Sequence, residues 1–415
     1  MTALLHRAGP NSEPDTTAWA IGAPRLLAGL ERVQRLNLPG HHAVHGPIPG
    51  ADRDHLLAQL DAAGISGRGG AGFSLAAKVR ALAEGRAHVV VNGTESEPAS
   101  LKDRVLLLRS AHLVLDGALA VAAAVRARDV TVAVHDEFVA ASVRAAVSER
   151  GDARRVAVVV IAGGFVSGEA RAVVRALRGG PALPPGRRTP PTADGVLLAN
   201  AETFAQVAVL LRLGPHRFGE TGTGREPGTT LITVGGAVGR PGVVEIPFGT
   251  PLGIVLAAVG SAEPQAVVLG GYHGGWHAPI PQIRLSRDGL AAAGGTFGAG
   301  VVLVVGRDTC ALGELARVAG WLAAESAGQC GPCVFGLPAL ARDASALAAG
   351  HRTAVAAALG HARVVDGRGA CAHPDGAARF VTSAVHLLRD ETDRHRAVGT
   401  CGRPVLGHLP LRLGR

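Results

Sequence analysis

The chain has 415 residues, of which 47% are hydrophobic, and this is enough apolar material for two or three domains with their own cores. The formal net charge is +9 but only 3% of the residues are aromatic, so few rings could stack on bases and nucleic acid is not a predicted partner. No run approaches the roughly 18 apolar residues that span a bilayer, and residues 1–14 lack the apolar segment of a signal peptide, so we predict a cytoplasmic protein without membrane insertion.

The first part of the chain alternates between helical and strand patterns. Apolar residues recur on one face of the segment Ala51–Ala63, which predicts a helix. Short valine-rich runs are typical of buried parallel strands, and they lie at Val89–Val91, Val130–Val134 and Val156–Ile161. Helical patterns surround these runs at Ala76–Ala83, Ser110–Ala127 and Glu137–Val147. Strands that alternate with helices predict an α/β domain with a mostly parallel sheet.

The second half of the chain changes pattern twice. A helix predicted over Glu202–Leu213 is followed by the polar run Gly219–Gly228, which predicts a linker. A small α+β module is indicated next, with β-rich runs at Thr230–Val234, Gly242–Ile246 and Val267–Leu269 and a helical segment at Pro251–Val259. From Cys310 to Asp390 the pattern is helical only, which predicts a closing bundle. We therefore predict a multidomain chain with an N-terminal extension (1–50), an α/β domain (51–217), an α+β domain (229–305), a helical domain (306–395) and a tail (396–415).

Four glycine-rich or polar segments of the predicted α/β domain are candidates for ligand binding. The segment Gly64–Phe73 leads directly into a helix, and such a loop lets backbone N–H groups approach a phosphate, although alone it could be a tight turn. The segment Asn92–Pro98 follows a predicted buried strand, where α/β sheets commonly bind ligands. Two more segments, Gly163–Ala170 and Asn200–Thr203, come later in the chain.

These four segments, in this order, resemble those of the NADH-oxidising F-type flavoprotein subunit of respiratory complex I and of related soluble dehydrogenases. The resemblance implies that the α/β domain binds FMN and NADH. The residues that it implies around the flavin are Gly67, Arg68, Gly69, Gly70, Lys78, Asn92, Glu95 and Ser96. It places Phe73 and Glu97 towards the nicotinamide nucleotide, and it adds Gly168, Glu169 and Asn200 from the two later segments.

Two residues depart from the family pattern at the implied nucleotide site. Thr94 stands where the family has Asp, and Ala170 stands where it has a second Glu that contacts the dinucleotide. A missing carboxylate removes hydrogen bonds to a hydroxyl or amide, so the departures bear on NADH affinity and nucleotide preference more than on flavin binding. The α+β module resembles the SLBB-like β-grasp module of the same subunit; it could bind a small molecule, and we expect a spacer between the flavin and cluster domains.

The cysteines carry the clearest chemical signal. Five are present, and an odd, small number in a reducing compartment argues against a disulfide framework and for cluster or metal ligation. The run from Glu325 to Cys333, with Cys371 further on, resembles the family's motif for one [4Fe–4S] cluster, whose irons are held by thiolates. The implied ligands in this chain are Cys330, Cys333 and Cys371.

The first cysteine of the family motif is replaced by Ala327, which leaves the fourth ligand open. The alternatives are a cluster with an open iron, a zinc site completed by His373, a cluster completed by Cys310, or no metal. Cys310 lies about one helix length before the motif, so it reaches the other cysteines only if the helix breaks between Ala324 and Gly328. Cys401 is predicted to be a surface thiol without a role.

The resemblance implies an enzyme that passes electrons from NADH through FMN and the cluster to a ferredoxin or a partner subunit. The basic charge could serve to dock an acidic redox partner or could simply be solvated. The rival hypothesis is a non-catalytic scaffold that has lost NADH oxidation. It is suggested by the three departures from the family pattern, at Thr94, Ala170 and Ala327.

Overall fold

The computed structural model describes residues 17–83, 87–186, 189–261 and 263–411. Residues 1–16 of the predicted extension and 412–415 of the predicted tail therefore lie outside the described residues. The elements up to residue 219 are β1 (Ala18–Ala20), α1 (Leu38–His45), α2 (Arg53–Ala63), α3 (Leu75–Arg80), β2 (His88–Gly93), α4 (Lys102–Arg109), α5 (Ala111–Ala124), β3 (Asp129–Val134), α6 (Glu137–Ser148), β4 (Val156–Val160), α7 (Ala170–Leu177), β5 (Val196–Asn200) and α8 (Ala201–Gly219).

The next elements are mostly short strands: β6 (Thr229–Gly236), β7 (Gly242–Pro247), β8 (Thr250–Pro251), α9 (Leu252–Ala258), β9 (Pro264–Leu269), β10 (Gly275–His277), β11 (Arg284–Leu285), α10 (Arg287–Ala292) and β12 (Val301–Gly306). The last part is helical, with α11 (Ala311–Ala324), α12 (Leu337–Ala348), α13 (Ala354–Val365), α14 (His373–Leu387) and α15 (Arg389–Val398). The chain is thus a mixed, multidomain α/β protein, as predicted.

Strands β2 to β5 form a parallel sheet in the order β4-β3-β2-β5. From β2 the chain goes to one side, through β3 and β4, and then returns to the other side of β2 to form β5. In α/β sheets a crevice opens at the carboxyl ends of the strands where the order reverses, and ligands bind there. In this chain the crevice lies between β2 and β5, where Asn92 is paired with Asn200.

Two features of this sheet differ from the sequence prediction. Strand β5 is not predicted, although it forms one wall of the crevice. Strand β4 is parallel, as predicted, but it is not buried, and Val160 is 39% exposed. The reason is its position at the edge of the sheet, where only β3 pairs with it.

A second sheet has the order β1-β7-β6-β12-β9-β10 and a mixed direction of strands. Strand β1 comes from the predicted N-terminal extension and runs parallel to β7, with Ala18 opposite Val243. The next turn is held to β7 as well, because Glu245 accepts hydrogen bonds from the backbone N–H groups of Arg25, Leu26 and Leu27. The extension therefore contributes one strand, Ala18–Ala20, to this sheet, while its helix α1 contacts α5 through His41 and Asp116.

The helical part packs on the second sheet through one apolar core. Leu303 and Val305 of β12 share this core with α11, α12 and α14. The predicted helix break is confirmed, since α11 ends at Ala324 and Gly328 has a positive φ of 64°. Among the described residues no single helix is long and apolar enough to cross a membrane; α4 and α5 pass such a test only as a pair, which is bent by 93°.

Candidate functional site

Three of the four predicted segments meet at the crevice between β2 and β5. Asn92 ends β2 and donates a hydrogen bond from its side-chain amide to the carbonyl oxygen of Gly168, 3.0 Å away. The two segments are in close contact, because a Cβ atom added to Gly168 would lie 2.6 Å from Ser96 Oγ and 2.8 Å from the carbonyl oxygen of Thr94. Only glycine fits at this position.

The glycine loop before α3 reaches the same crevice. It closes on itself through a 2.8 Å hydrogen bond from Gly67 N–H to the carbonyl oxygen of Phe73, and Gly70 has a φ of 99° that other residues rarely adopt. The loop is held to the start of α8 by a 2.9 Å bond from Arg68 N–H to Thr203 Oγ1. A Cβ atom added to Gly69 would lie 3.4 Å from the Cβ atom of Asn200, so all four segments share one place.

Two buried cations lie at this place. The Arg68 side chain is 2% exposed, its guanidinium lies over the Phe248 ring at 4.4 Å, and its Nε atom faces Glu202 Oε1 at 3.9 Å. Lys78 Nζ donates to the carbonyl oxygen of Leu198 at 2.9 Å, which is its one hydrogen bond within the described part of the chain. Burial lowers the pKa of both side chains, to about 10 for Arg68, which therefore remains protonated at neutral pH.

A charged network below the crevice was not predicted as part of the site. Lys102 Nζ lies 2.9 Å from Asp103 Oδ2, 3.0 Å from Asn200 Oδ1 and 3.2 Å from Glu202 Oε2. Burial alone would lower the pKa of Lys102, but the carboxylates of Asp103, Glu202 and Glu95 raise it above its usual value. The run Lys102–Arg104 was the signal in the sequence from which this network could have been predicted. The network fixes Asn200 and with it the carboxyl end of β5.

Three other predicted residues, Glu95 for the flavin and Glu97 and Phe73 for the nicotinamide nucleotide, occupy different positions. Glu95 accepts hydrogen bonds from the N–H groups of Asp103 and Arg104 and so caps α4. Glu97 is buried, and its Oε2 accepts a 2.9 Å bond from the N–H of Tyr272, in the turn between β9 and β10. Phe73 is 69% exposed and offers a free ring face at the mouth of the crevice.

Glu169 caps helix α7 and stands beside a cationic cavity. Its carboxylate accepts hydrogen bonds from the N–H groups of Arg171 and Ala172, and Arg171 Nε lies 2.9 Å from its other oxygen. Ala170 follows as the first residue of α7. The cavity has a volume of about 810 Å³, and Arg171, Arg175 and Arg178 line it together with the segment just before Cys371.

Cys330 lies close to Cys333 and to Cys371, the other two cysteines of the predicted cluster motif. Burial raises the pKa of Cys333 to about 11, and charge on the neighbouring Cys330 adds to the rise while a hydrogen bond with Ser326 opposes it. Burial also raises the pKa of Cys371, and the nearby Glu169 and Cys330 add to that rise. Two thiols on either side of Cys330 in the fold suit a cluster that is bound by thiolates.

The cluster site is joined to the crevice by a direct bond. Glu325, in the cysteine motif, accepts a 2.7 Å hydrogen bond from the N–H of Phe165, in the Gly163–Ala170 segment. The Phe165 ring also packs edge-on against Trp321 and His373, with centroids 5.0 and 5.4 Å apart. The motif and the crevice are therefore held in a fixed relation.

The other two cysteines form a separate pair. Cys310 caps α11, and its Sγ accepts from the N–H of Gly313 at 3.3 Å. Its sulfur lies beside His395, Glu391 and Cys401. This placement does not favour the alternative in which Cys310 completes the cluster. Cys401 is not a simple surface thiol either, because it is half-buried and within contact of Cys310.

Comparison with known proteins agrees with this arrangement. Residues 60–209 match the family described as the Nuo51 FMN-binding domain, and residues 313–395 match the NADH-ubiquinone oxidoreductase-F iron-sulfur binding region. The F-type subunit of NADH-quinone oxidoreductase from Rickettsia typhi is 28% identical, with 82% of this chain and 89% of the relative covered. That of Salmonella typhimurium is 25% identical, with 92% of each chain covered.

The chain belongs to the family of F-type subunits of NADH-quinone oxidoreductase.

Two solved structures that resemble this family member are of an NAD+-reducing [NiFe]-hydrogenase. In its air-oxidised state the likeness has a TM-score of 0.81 at 26% identity and covers 91% of this chain and 68% of the hydrogenase chain. In its H2-reduced state the TM-score is 0.75 at 27% identity, and this chain spans 62% of the hydrogenase chain. The first matched family range contains all four crevice segments, and the second contains Cys330, Cys333 and Cys371 but neither Cys310 nor Cys401.

Proposed function

We propose that this protein is an NADH dehydrogenase flavoprotein, which oxidises NADH and passes the electrons through FMN and an iron–sulfur cluster to a protein acceptor. The convergence of the four segments at the crevice, joined to three cysteines by the bond between Glu325 and Phe165, carries the proposal. FMN accepts a hydride and returns single electrons, which is chemistry that no side chain supplies. The residues of the chain would bind FMN, NADH and the cluster, orient them and keep them apart.

We propose that FMN binds in the crevice between β2 and β5. The positive charges of the buried Arg68 and Lys78 would attract its phosphate, and Lys78 Nζ has donors beyond the one given to Leu198. Asn92 and Asn200 hold the two strand ends, so the floor of the site is rigid before the flavin arrives. Ser96, Gly168 and the glycine loop form the close walls, while Glu95 and the Lys102 network act as supports.

We propose that NADH enters through the cationic cavity beside α7. A volume of about 810 Å³ is large enough for a dinucleotide. Arg175 is suited to its diphosphate, whereas Arg171 and Arg178 are paired with Glu169 and with Asp194, which also lines the cavity. Phe73 would stack on one of the nucleotide's rings. Glu169 lies at the cavity edge but is already used as a helix cap, and Ala170 supplies no second carboxylate. We expect nucleotide binding to depend on the arginines more than in relatives with two glutamates.

We propose that Cys330, Cys333 and Cys371 hold the cluster and that one iron has no cysteine ligand. Ala327 contributes only a backbone contact to Cys333, and the hydroxyl of Ser326 is the polar group beside that thiol. Within this proposal the domain limits are 51–217 for FMN and NADH, 229–305 for an SLBB-like β-grasp spacer and 306–395 for the cluster. Strand β1, which comes from the N-terminal extension, pairs with strand β7 of the spacer domain.

The experiment that tests this function is an anaerobic absorption spectrum with flavin and iron assays, before and after addition of NADH. We expect one FMN and roughly four irons per chain, with bleaching of the flavin and cluster bands by NADH. NADPH in a parallel sample reports the nucleotide preference. A colourless protein that ignores NADH would contradict the proposal and leave the scaffold hypothesis.

The acceptor is proposed to be an acidic ferredoxin that docks over the cluster motif. Phe335 is 74% exposed and Val334 is 46% exposed, although Cys333 beside them is buried. Exposed apolar residues next to a redox centre are typical of a docking surface, and the net charge of +9 favours an acidic partner.

The docking surface leads to a prediction for Phe335→Ala. Loss of a central aromatic contact is expected to cost about 1–2 kcal/mol of docking energy, so kcat/KM for reduced-ferredoxin formation should fall roughly five- to thirtyfold. The rate with ferricyanide, a small acceptor, should be unchanged. Val398→Ala is the matched control, because Val398 is 69% exposed at the distant end of α15. Equal losses with both acceptors would contradict the assignment.

A further inference from the structure

A second group of possible metal ligands lies outside the cluster motif. It consists of Cys310 at the start of α11, Glu391 and His395 on α15, and Cys401 in the segment that follows α15. Their ligand atoms all lie within 4.8 Å of one another. Cys310, Glu391 and His395 are 5%, 8% and 3% exposed, and Cys401 is half-buried. We propose that these four residues bind one structural Zn²⁺ ion.

The distances suit a tetrahedral zinc ion. Bonds of roughly 2.3 Å to sulfur and 2.0 Å to nitrogen place those two ligand atoms about 3.5 Å apart, and Cys310 Sγ and His395 Nε2 are separated by 3.6 Å. His395 Nε2 and Glu391 Oε1 are 4.0 Å apart, so a shift of a few tenths of an ångström brings the carboxylate into place. Four protein ligands in a closed, buried site are characteristic of structural zinc, and two thiolates with an imidazole favour zinc over magnesium or calcium.

The hydrogen bonds of His395 direct its Nε2 atom towards the other proposed ligands. A carbonyl oxygen can only accept, so the 2.6 Å contact between His395 Nδ1 and the carbonyl oxygen of Ala348 places the proton on Nδ1. The Nε2 lone pair therefore faces the group, where it accepts the N–H of Cys401 at 3.0 Å, and zinc would take the place of that hydrogen bond. A ring whose second nitrogen donates to a carbonyl is the usual setting of a metal-binding histidine.

The charges of the group are also accounted for. Two thiolates and one carboxylate around Zn²⁺ leave a single negative charge, and Arg403 contacts both Glu391 and Cys401. Arg403 is itself fixed by a 2.9 Å bond to Gln265 Oε1. The N–H of Gly313, at the N-terminus of α11, donates a hydrogen bond to Cys310 Sγ at 3.3 Å.

This site is distinct from the cluster and from the zinc alternative that includes His373. Both ring nitrogens of His373 are occupied, since Nε2 donates to the carbonyl oxygen of Leu322 at 2.9 Å and Nδ1 lies 3.0 Å from His273 Nε2. The matched iron–sulfur range ends at residue 395 and begins after Cys310, so two of the four proposed ligands are outside it.

The ion would link the segment after α15 to the start of α11. The N–H of Cys310 donates to the carbonyl oxygen of Pro404 at 2.8 Å, and Leu406 N–H donates to Thr309 Oγ1 at 3.0 Å. Leu409 is fully buried beyond them. A metal that joins residues 310 and 401 closes a long loop, and such a closure removes freedom from the unfolded chain.

Metal analysis of the full-length protein with its cofactors tests the proposal. We expect about one zinc per chain after dialysis against a weak chelator. Replacement with Co²⁺ should give the intense visible and near-ultraviolet bands of tetrahedral thiolate coordination. Cys401→Ser should lose at least nine-tenths of the zinc and the thiolate bands while it keeps iron and NADH–ferricyanide activity, and His395→Gln should do the same.

Cys330→Ser is the matched control, because it should lose iron and keep zinc. The two metals thus report separately on this site and on the proposed function. A wild-type protein that binds neither Zn²⁺ nor Co²⁺ would overturn the inference. So would unchanged zinc in Cys401→Ser, or a disulfide between Cys310 and Cys401 in the anaerobic protein as seen by mass spectrometry.

Discussion

Gly168→Ala is expected to weaken FMN binding strongly. The new methyl group would lie 2.8 Å from the carbonyl oxygen of Thr94, a backbone atom that cannot turn away, and 2.6 Å from Ser96 Oγ. The two segments must separate to make room, and such overpacking costs about 1–3 kcal/mol. If that cost falls on the flavin-bound state, the Kd for FMN rises roughly five- to a hundred-and-fiftyfold, as measured by quenching of flavin fluorescence on titration into the apoprotein.

Gly163→Ala is the matched control in the same segment. A Cβ atom at Gly163 meets nothing within 4 Å, and its φ is not in the left-handed region, so its Kd for FMN should equal that of the wild type. Thermal unfolding of both apoproteins separates a binding defect from a folding defect. The double variant Gly168→Ala, Ser96→Gly removes one of the two contacts and should recover part of the affinity. Equal Kd values for the two single variants would show that this contact lies outside the flavin site.

The four crevice segments could be predicted because each has a local chemical signature. The glycines and the Asn-x-x-Glu pattern of residues 92–95 are visible without knowledge of the fold. Their meeting point depends on β5, which is five residues long and follows a segment rich in proline and glycine. Its apolar run is too short to separate a strand from a helix start, so the order of the sheet could not be read from the sequence.

The zinc ligands were missed for a different reason. Glu391 and His395 are four residues apart on one helix face, which was a visible signal. Cys310 comes from the other end of the helical part, and no spacing rule links it to Cys401. Ligands that are brought together only by tertiary packing leave no motif, whereas Cys330 and Cys333 lie in one short run. The sequence alone therefore suggested Cys310 as a ligand of the iron–sulfur cluster, because the cluster motif was the nearest known motif in the chain.

Ala327→Cys is expected to change the chemical stability of the cluster. With three cysteine ligands, one iron is held by a weaker group, so brief oxidation with ferricyanide should remove it from the wild type and leave a three-iron cluster. Position 327 is half-buried and in backbone contact with Cys333, so a thiol there can reach the open iron. The variant should keep roughly four irons per chain after the same treatment, and the EPR signal of the three-iron form should disappear.

Ala324→Cys is the control for an added thiol, because Ala324 is exposed at the end of α11 and should behave as the wild type does. If the wild type keeps all its iron under oxidation, a fourth ligand must already be present, which contradicts the three-cysteine proposal. Ser326 is then the residue to change, since its hydroxyl lies against Cys333. Loss of iron in Ser326→Ala would assign the ligand to it. Because Cys310 is engaged with His395, Cys310→Ser should leave the iron unchanged in either case.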